Sequence, residues 1–181
     1  EKGERAVQTH TASISGNRKL WKALFHQHNL IEVDTLEQLL TAARILDFYD
    51  LSQLKSFSIL SISGGYGVIL VDLLEKFGFN VPSFSEEIQK KLSEKFFTLG
   101  TSPKNPLDVS AQIYYSQSIY DIIDLALKDD KIDGLIMDLP AWYFNPDYHI
   151  KKDFKFEDKM IEAMSLGHKY NKVIFPIIQT A

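Results

Sequence analysis

The chain has no cysteine, which removes disulfides, thiolate zinc sites, iron–sulfur clusters and a cysteine nucleophile together. It has no apolar run able to span a bilayer: runs such as 174–178 fall far short of the roughly 20 residues a helical span needs. The opening EKGERAVQ is charged and has no signal-peptide core behind it. No block of one charge sign is present either. Twenty Lys and Arg stand against 24 Asp and Glu, a net charge of −4, so binding driven by phosphate neutralisation along a nucleic acid is not expected. These absences lead to the expectation of a water-soluble, cytoplasmic protein with no membrane or nucleic-acid partner. Position 1 is Glu rather than Met, and an excised piece of something longer is expected.

What is present is apolar material in a repeating order. Of 181 residues 45% are hydrophobic, enough for a sizeable core. Leu20, Ala23, Leu24 and Leu30 suggest a short amphipathic helix over about 17–28. Asp34 is an N-cap candidate with Glu37 three residues on, leading a second helix to about Phe48. FSILSIS (57–63) predicts a strand running through SGGYG into a helix that stops at Gly78. Ser85 caps a predicted helix EEIQKKLSEKFF, and a short strand follows near 107–111. Then come a helix SQSIYDIIDLALKDD, a strand over 132–139, a helix FEDKMIEAMSLGHKY and a last strand KVIFPIIQ.

Strands apolar on both faces, separated by helices of 10–15 residues, predict a parallel sheet covered on both sides. The expected fold is α/β: a flavodoxin-like parallel sheet of four to five strands flanked by helices. The aromatic, irregular segment 141–156 follows a strand's C-terminal end, where ligands approach such sheets; it is either a functional loop or one that packs its own aromatics.

Three groups of residues could carry chemistry. Ser63, Gly64, Gly65, Tyr66 and Gly67 lie at a strand-to-helix junction. Glycines let the backbone turn tightly and approach a ligand, and free amides at a helix start favour an anion. The spacing fits neither GxGxxG, since Leu70 takes the last glycine position, nor a P-loop. A phosphate cradle and a plain tight turn both fit. His10, in THTASISGN, is either a solvated surface residue or a nucleophile, general base or ligand. His26 and His28, two apart on a helix, point to different faces and form no metal pair; His149 and His168 are expected at the surface. Asn105, Pro106, Leu107 and Asp108 lead a strand, where Asp108 either caps a loop or orients a ligand. Asp138 is open to the same two readings. No metal site is expected.

In order, THTASISGN, HNLIEVDTLEQLLTAARIL, SGGYGVILVDLLEKFG, NPLDVSA and LALKDDKIDGLIMDLP resemble the C-terminal part of the CoA-ligase region of the NDP-forming (ADP-forming) acyl-CoA synthetases, relatives of succinyl-CoA synthetase. The resemblance runs from about residue 5 to 181. It implies that His10 matches the histidine phosphorylated during turnover, in a motif where Thr9 replaces the usual serine and Ala12 the usual glycine. It implies that Gly64, Gly65 and Gly67 match a G-G-x-G at a helix N-terminus that holds the phosphate, with Tyr66 in place of a common proline. Asn105, Pro106 and Asp108 match the N-P-[VL]-D motif, with Asn105 and Asp108 in supporting roles.

The implied reaction converts acyl-CoA, phosphate and ADP to acid, CoA and ATP through an acyl phosphate and a phosphohistidine. The full-length enzyme is expected to use CoA, ADP or ATP and Mg²⁺, while the fragment binds no cofactor and is inactive alone. Its expected partners are CoA-binding and ATP-grasp domains, on the same or a partner chain, and a small-molecule acyl substrate. Residues 1–30 would be the tail of the preceding ligase domain, with the phosphohistidine loop, and 31–181 the flavodoxin-like domain. Two alternatives stay open: the synthetase-like sensor region of a protein lysine acetyltransferase, and a non-enzymatic scaffold that docks a partner.

Overall fold

The computed structural model describes residues 18–110, 112, 116–141 and 156–179. The chain divides into two compact units, Glu1–Tyr49 and Asp50–Ala181. In the first unit, helices α1 (Arg18–Gln27) and α2 (Leu36–Phe48) are described. Thr35, not Asp34, is the N-cap of α2: its side chain accepts from the Gln38 amide at 3.1 Å, while the Asp34 amide donates to Gln38 Oε1 at 2.8 Å. The cap thus falls one residue on from the expected Asp34, and Gln38 reaches back to the amide before the cap rather than to that of Thr35 itself. No described residue of this unit is buried, and Leu20, Leu36, Leu39, Leu40 and Phe48 are all exposed.

The second unit is built on a parallel sheet in the order β2-β1-β3-β4. Its strands are β1 (Phe57–Ser61), β2 (Leu107–Asp108), β3 (Gly134–Pro140) and β4 (Val173–Gln179), and its helices are α3 (Gly64–Lys76), α4 (Glu86–Lys95), α5 (Ser116–Lys128), α6 (Phe156–Met164) and α7 (Leu166–Tyr170). The expected α/β fold is thus present among the described residues. Alternation along the strands sorts the core into two layers. Leu60, Leu107, Leu135, Met137, Leu139 and Ile174 face the helices α4 to α7, against Ile88, Leu92, Ile119, Ile122, Ile123, Leu127 and Met160. Phe57, Ile59, Ile136 and Val173 face the other way, against Leu70 of α3. Each fully buried Leu or Ile contributes about 2 kcal/mol over its exposed state.

Ends of elements follow local chemistry. Gly78 takes φ +82 just past α3, the left-handed conformation that closes a helix at glycine. The single helix expected over FEDKMIEAMSLGHKY is instead two, α6 and α7, separated at Ser165. Ser85 stands at the N-cap of α4 but makes no side-chain cap bond; its amide donates to Asp129 Oδ2 at 2.6 Å. Strand β2 pairs over two residues only, because Ser110 turns to φ 31 and leads the chain away. Pro176 lies within β4, an edge strand, where a missing N–H costs no ladder bond on the open side. Across α5 and α7, Asp124 accepts from Lys128 Nζ, Lys169 Nζ and Tyr170 Oη at 2.6–2.7 Å.

Candidate functional site

Ser63, Gly64, Gly65, Tyr66 and Gly67 come together with Asp108 and Asp138 at the C-terminal edge of the sheet, where β1, β2 and β3 all end. Strand β1 delivers the chain at Ser61, and α3 starts three residues later with Ser63 at its N-cap, whose side chain makes no capping bond. Helix α3 begins its own ladder with the Gly67 amide donating to the Ser63 carbonyl at 2.9 Å. The amides of Gly64, Gly65 and Tyr66 find no acceptor among the described residues. Three N–H groups at the positive end of a 13-residue helix therefore remain available to an anion.

The glycines differ in what they face. A Cβ at Gly64 would lie 2.6 Å from Asp108 Oδ2, and one at Gly67 would lie 3.4 Å from Pro106 Cβ. Glycine is needed at position 64 so that Asp108 can press against α3, whereas at Gly67 the distance to Pro106 is an ordinary contact. Gly65 has nothing within 4 Å of its would-be Cβ, so this position is the one open to a visitor. The Tyr66 side chain packs on the apolar cluster around Phe57 and Leu70, so only its backbone faces the opening.

Asp108 is half-buried, with Oδ1 buried and without a hydrogen-bond partner. Burial pushes its carboxyl above the usual range, and the Ser110 amide pulls the other way. An anion arriving at the same turn would raise its proton affinity further. Asp138 is buried, and its Oδ2 receives the Ser61 hydroxyl at 2.9 Å. The same hydroxyl lies 2.8 Å from the Ser63 carbonyl and accepts from the Ser63 amide at 3.1 Å. Ser61, with one hydrogen for two acceptors, ties the end of β3 to the residue that starts α3. Sequence reasoning missed Ser61; the only signal was a hydroxyl residue closing an otherwise apolar strand.

Asn105 is not at the opening. Its Nδ2 donates to the carbonyls of Phe57 (3.0 Å) and Pro82 (2.9 Å), and its Oδ1 accepts from the Ile59 amide at 3.0 Å. His10, with its flanking Thr9 and Ala12, lies outside the described residues, as does His149 and nearly all of the aromatic segment 141–156. His168 is exposed, as expected, and so are His26 and His28. Among the described residues no three His, Asp or Glu side chains converge on a metal position, and no helix is long and apolar enough to cross a membrane. An open cleft of about 560 Å³ lined by Ser56, Glu75, Asn80, Val81, Pro82 and Lys131 lies at the opposite, N-terminal end of the sheet, away from these groups.

Comparison with known proteins supports one family. The family described as "Succinyl-CoA ligase like flavodoxin domain" matches residues 1–46. The alpha subunit of acetate–CoA ligase [ADP-forming] II from Pyrococcus furiosus is 29% identical over 136 residues, 75% of this chain and 29% of that protein. The 4-hydroxybutyrate–CoA ligase [ADP-forming] from Nitrosopumilus maritimus is 28% identical over 173 residues, 95% of this chain and 23% of that protein. The dinucleotide forming acetyl-coenzyme A synthetase 1 of Ca. Korarchaeum cryptofilum, solved in complex with phosphate and ADP, shares the fold with a TM-score of 0.70 at 19% identity, over 99% of this chain and 37% of that one. The chain thus spans less than a third of the length of these two curated relatives. In sequence the chain is similar to part of the ADP-forming acid–CoA ligases, with residues 1–46 matching the succinyl-CoA ligase like flavodoxin domain, and it shares the fold of an ADP-bound acetyl-coenzyme A synthetase.

Proposed function

We propose that the chain is the segment of an ADP-forming acyl-CoA synthetase that carries the phosphoryl group on His10 and receives it at the first turn of α3. The observation that supports this best is the trio of unpaired amides at Gly64, Gly65 and Tyr66, open at Gly65 and set at the C-terminal edge of a parallel sheet. Each charge-assisted hydrogen bond from such an amide to a phosphoryl oxygen contributes about 1.5–3 kcal/mol. Because the amides are held by the helix, they need no reorganisation when charge arrives.

The reaction runs in three balanced steps. Phosphate displaces CoA from the acyl-CoA, giving an acyl phosphate and the free thiol. An imidazole nitrogen of His10 then attacks phosphorus, the bond from phosphorus to the acyl oxygen breaks, and the carboxylate leaves. Finally the phosphoryl passes from nitrogen to the terminal oxygen of ADP, giving ATP and free histidine. The Thr, Ser and Ala residues that flank His10 in the sequence suit a carrier that moves between sites, since small polar side chains bury little. The Gly64–Tyr66 amides hold the phosphoryl between transfers, and the Ser61 hydroxyl with Asp138 fixes where α3 starts. Mg²⁺ would come with the nucleotide, CoA and the acyl group with CoA-binding and ATP-grasp domains on the same or a partner chain. Without those parts this segment forms no ATP.

The test is ATP formation by the parent enzyme from acetyl-CoA, phosphate and ADP. Replacing His10 with Ala should abolish turnover while leaving a folded protein; turnover retained within about tenfold would remove His10 from the reaction.

A further inference from the structure

We propose that Asn105 is a positioning residue for the anion-receiving turn of α3, its side-chain amide standing in for a residue missing from the strand beside β1. The role in anion binding rests on the phosphoryl reading of that turn; the strand-completing role does not.

The edge of β1 away from β3 is paired by two separate pieces of chain, one around Asn80 and one over 105–108 that contributes a side chain as well as backbone. In a parallel ladder, the residue opposite position i donates to the carbonyl of i−1 and accepts from the amide of i+1. Asn80 does this opposite Ser56: its amide donates to the Lys55 carbonyl and its carbonyl accepts from the Phe57 amide, both at 2.8 Å. Leu107 resumes the pairing opposite Leu60. Between them, opposite Ser58, a backbone residue would donate to the Phe57 carbonyl and accept from the Ile59 amide. The side-chain amide of Asn105 makes both of these bonds.

The chemistry explains why a side chain is needed. Two residues on from Asn80 comes Pro82, which has no N–H to give to the Phe57 carbonyl. The 80–82 segment cannot continue the ladder. A carboxamide has the same donor and acceptor pair as a peptide, and its second N–H satisfies the Pro82 carbonyl. No other side chain combines two donors with an acceptor at this length without a charge.

What Asn105 anchors lies against α3. Pro106 sits at Gly67 and Asp108 at Gly64, so the three residues after the anchor form the wall of the helix's first turn. That wall and the Ser61 link define where the amides of Gly64, Gly65 and Tyr66 point. With Asn105 lost, the described backbone bonds left to hold the wall to β1 are the two-residue pairing of β2 and the Val109 amide on the Ser61 carbonyl, and the turn loses its fixed geometry.

The test is amide NMR on the full 181-residue chain, titrated with inorganic phosphate at constant ionic strength and pH, together with hydrogen exchange at Ile59. In the wild-type chain the Gly64, Gly65 and Tyr66 amides shift saturably and the Ile59 amide is protected. In Asn105→Ala the chain still melts cooperatively, Ile59 exchange accelerates, and the phosphate response weakens about tenfold or more, as small displacements of positioning groups do. A general loss of stability would not change the affinity of the molecules still folded, so the titration separates positioning from support. Unchanged phosphate affinity in folded Asn105→Ala overturns the proposal. If that variant does not fold, Asn105→Asp, which keeps the acceptor for Ile59 and loses both donors, is read in the same way; failure of both to fold makes Asn105 a general support and also overturns it. Absence of any shift in the wild-type chain refutes phosphate binding at the turn, while Ile59 exchange still reports on the strand-completing role.

Discussion

Two adjacent glycines should respond to alanine in opposite directions. At Gly64 an added Cβ would lie 2.6 Å from Asp108 Oδ2, closer than carbon and oxygen approach without bonding, so the carboxylate must retreat by the better part of an ångström. Asp108 is a short side chain on a paired strand residue, bonded through its backbone to Ser102 in both directions, so it has little freedom to retreat. Crowding of this kind costs about 1–3 kcal/mol, offset by the roughly 0.5–1 kcal/mol that alanine gains over glycine in a helix. Gly64→Ala should therefore destabilise by about 0.5–2 kcal/mol net. At Gly65 nothing lies within 4 Å, so Gly65→Ala collects the propensity gain alone. Thermal melts read the difference directly, at roughly 2–4 °C per kcal/mol for a chain of this size. In an Asp108→Ala background the Gly64→Ala penalty should vanish, because the cycle isolates that one contact. Equal melting temperatures for the two single variants, or a penalty that persists without Asp108, would refute the packing argument.

Asp124→Asn removes the acceptor shared by Lys128, Lys169 and Tyr170. Burial raises the Asp124 carboxyl, but bonds from these three partners outweigh it and bring it to about 2. A depressed carboxylate stabilises the fold above its unfolded value of 3.8, and that contribution is lost as pH falls from about 4 through about 2. At neutral pH the variant should be less stable by about 2 kcal/mol, and urea melts of the two proteins should converge near pH 2; a constant gap would contradict the linkage. Asp108 works in the opposite sense: its raised carboxyl penalises the ionised folded form, so Asp108→Asn should gain stability relative to wild type as pH rises above 4. The same variant removes a negative charge beside the α3 turn and should tighten inorganic phosphate binding several-fold at pH 7; weaker binding would show that the carboxylate helps rather than opposes the anion. Ser58 Oγ is buried without a partner, so Ser58→Ala should leave stability unchanged or raise it by up to about 1 kcal/mol in urea denaturation, and a loss above 1 kcal/mol would reveal a hidden bond.

Much of the fold was legible in the sequence because its signals are local. Runs such as ILSIS and LIMDLP are apolar on both faces, as buried parallel strands must be, and Gly78 ends α3 through its own backbone freedom. The glycine turn was placed correctly at a strand's C-terminal end, but Gly64 makes room for Asp108 rather than for a ligand. Nothing local could show this, because Asp108 lies more than 35 residues away in the chain. Asn105 was legible as a motif position and not as a strand substitute, since that role depends on Pro82 interrupting one segment and on β1 lacking a neighbour opposite Ser58. Thr35 in place of Asp34 at the cap of α2 reflects two overlapping patterns of equal spacing, between which only the backbone turn decides. The break between α6 and α7 at Ser165 was not visible in a periodicity that continues across it.

The central claim is that His10 carries the phosphoryl group, and labelling tests it most directly. The parent protein is incubated with γ-labelled ATP and Mg²⁺, as wild type and as His10→Ala, and the label is tested for lability in acid. Label that is acid-labile and absent from the variant is the result expected here. Label that resists acid, or that persists in His10→Ala, would contradict the account and leave α3 as a helix whose free amides serve another anion.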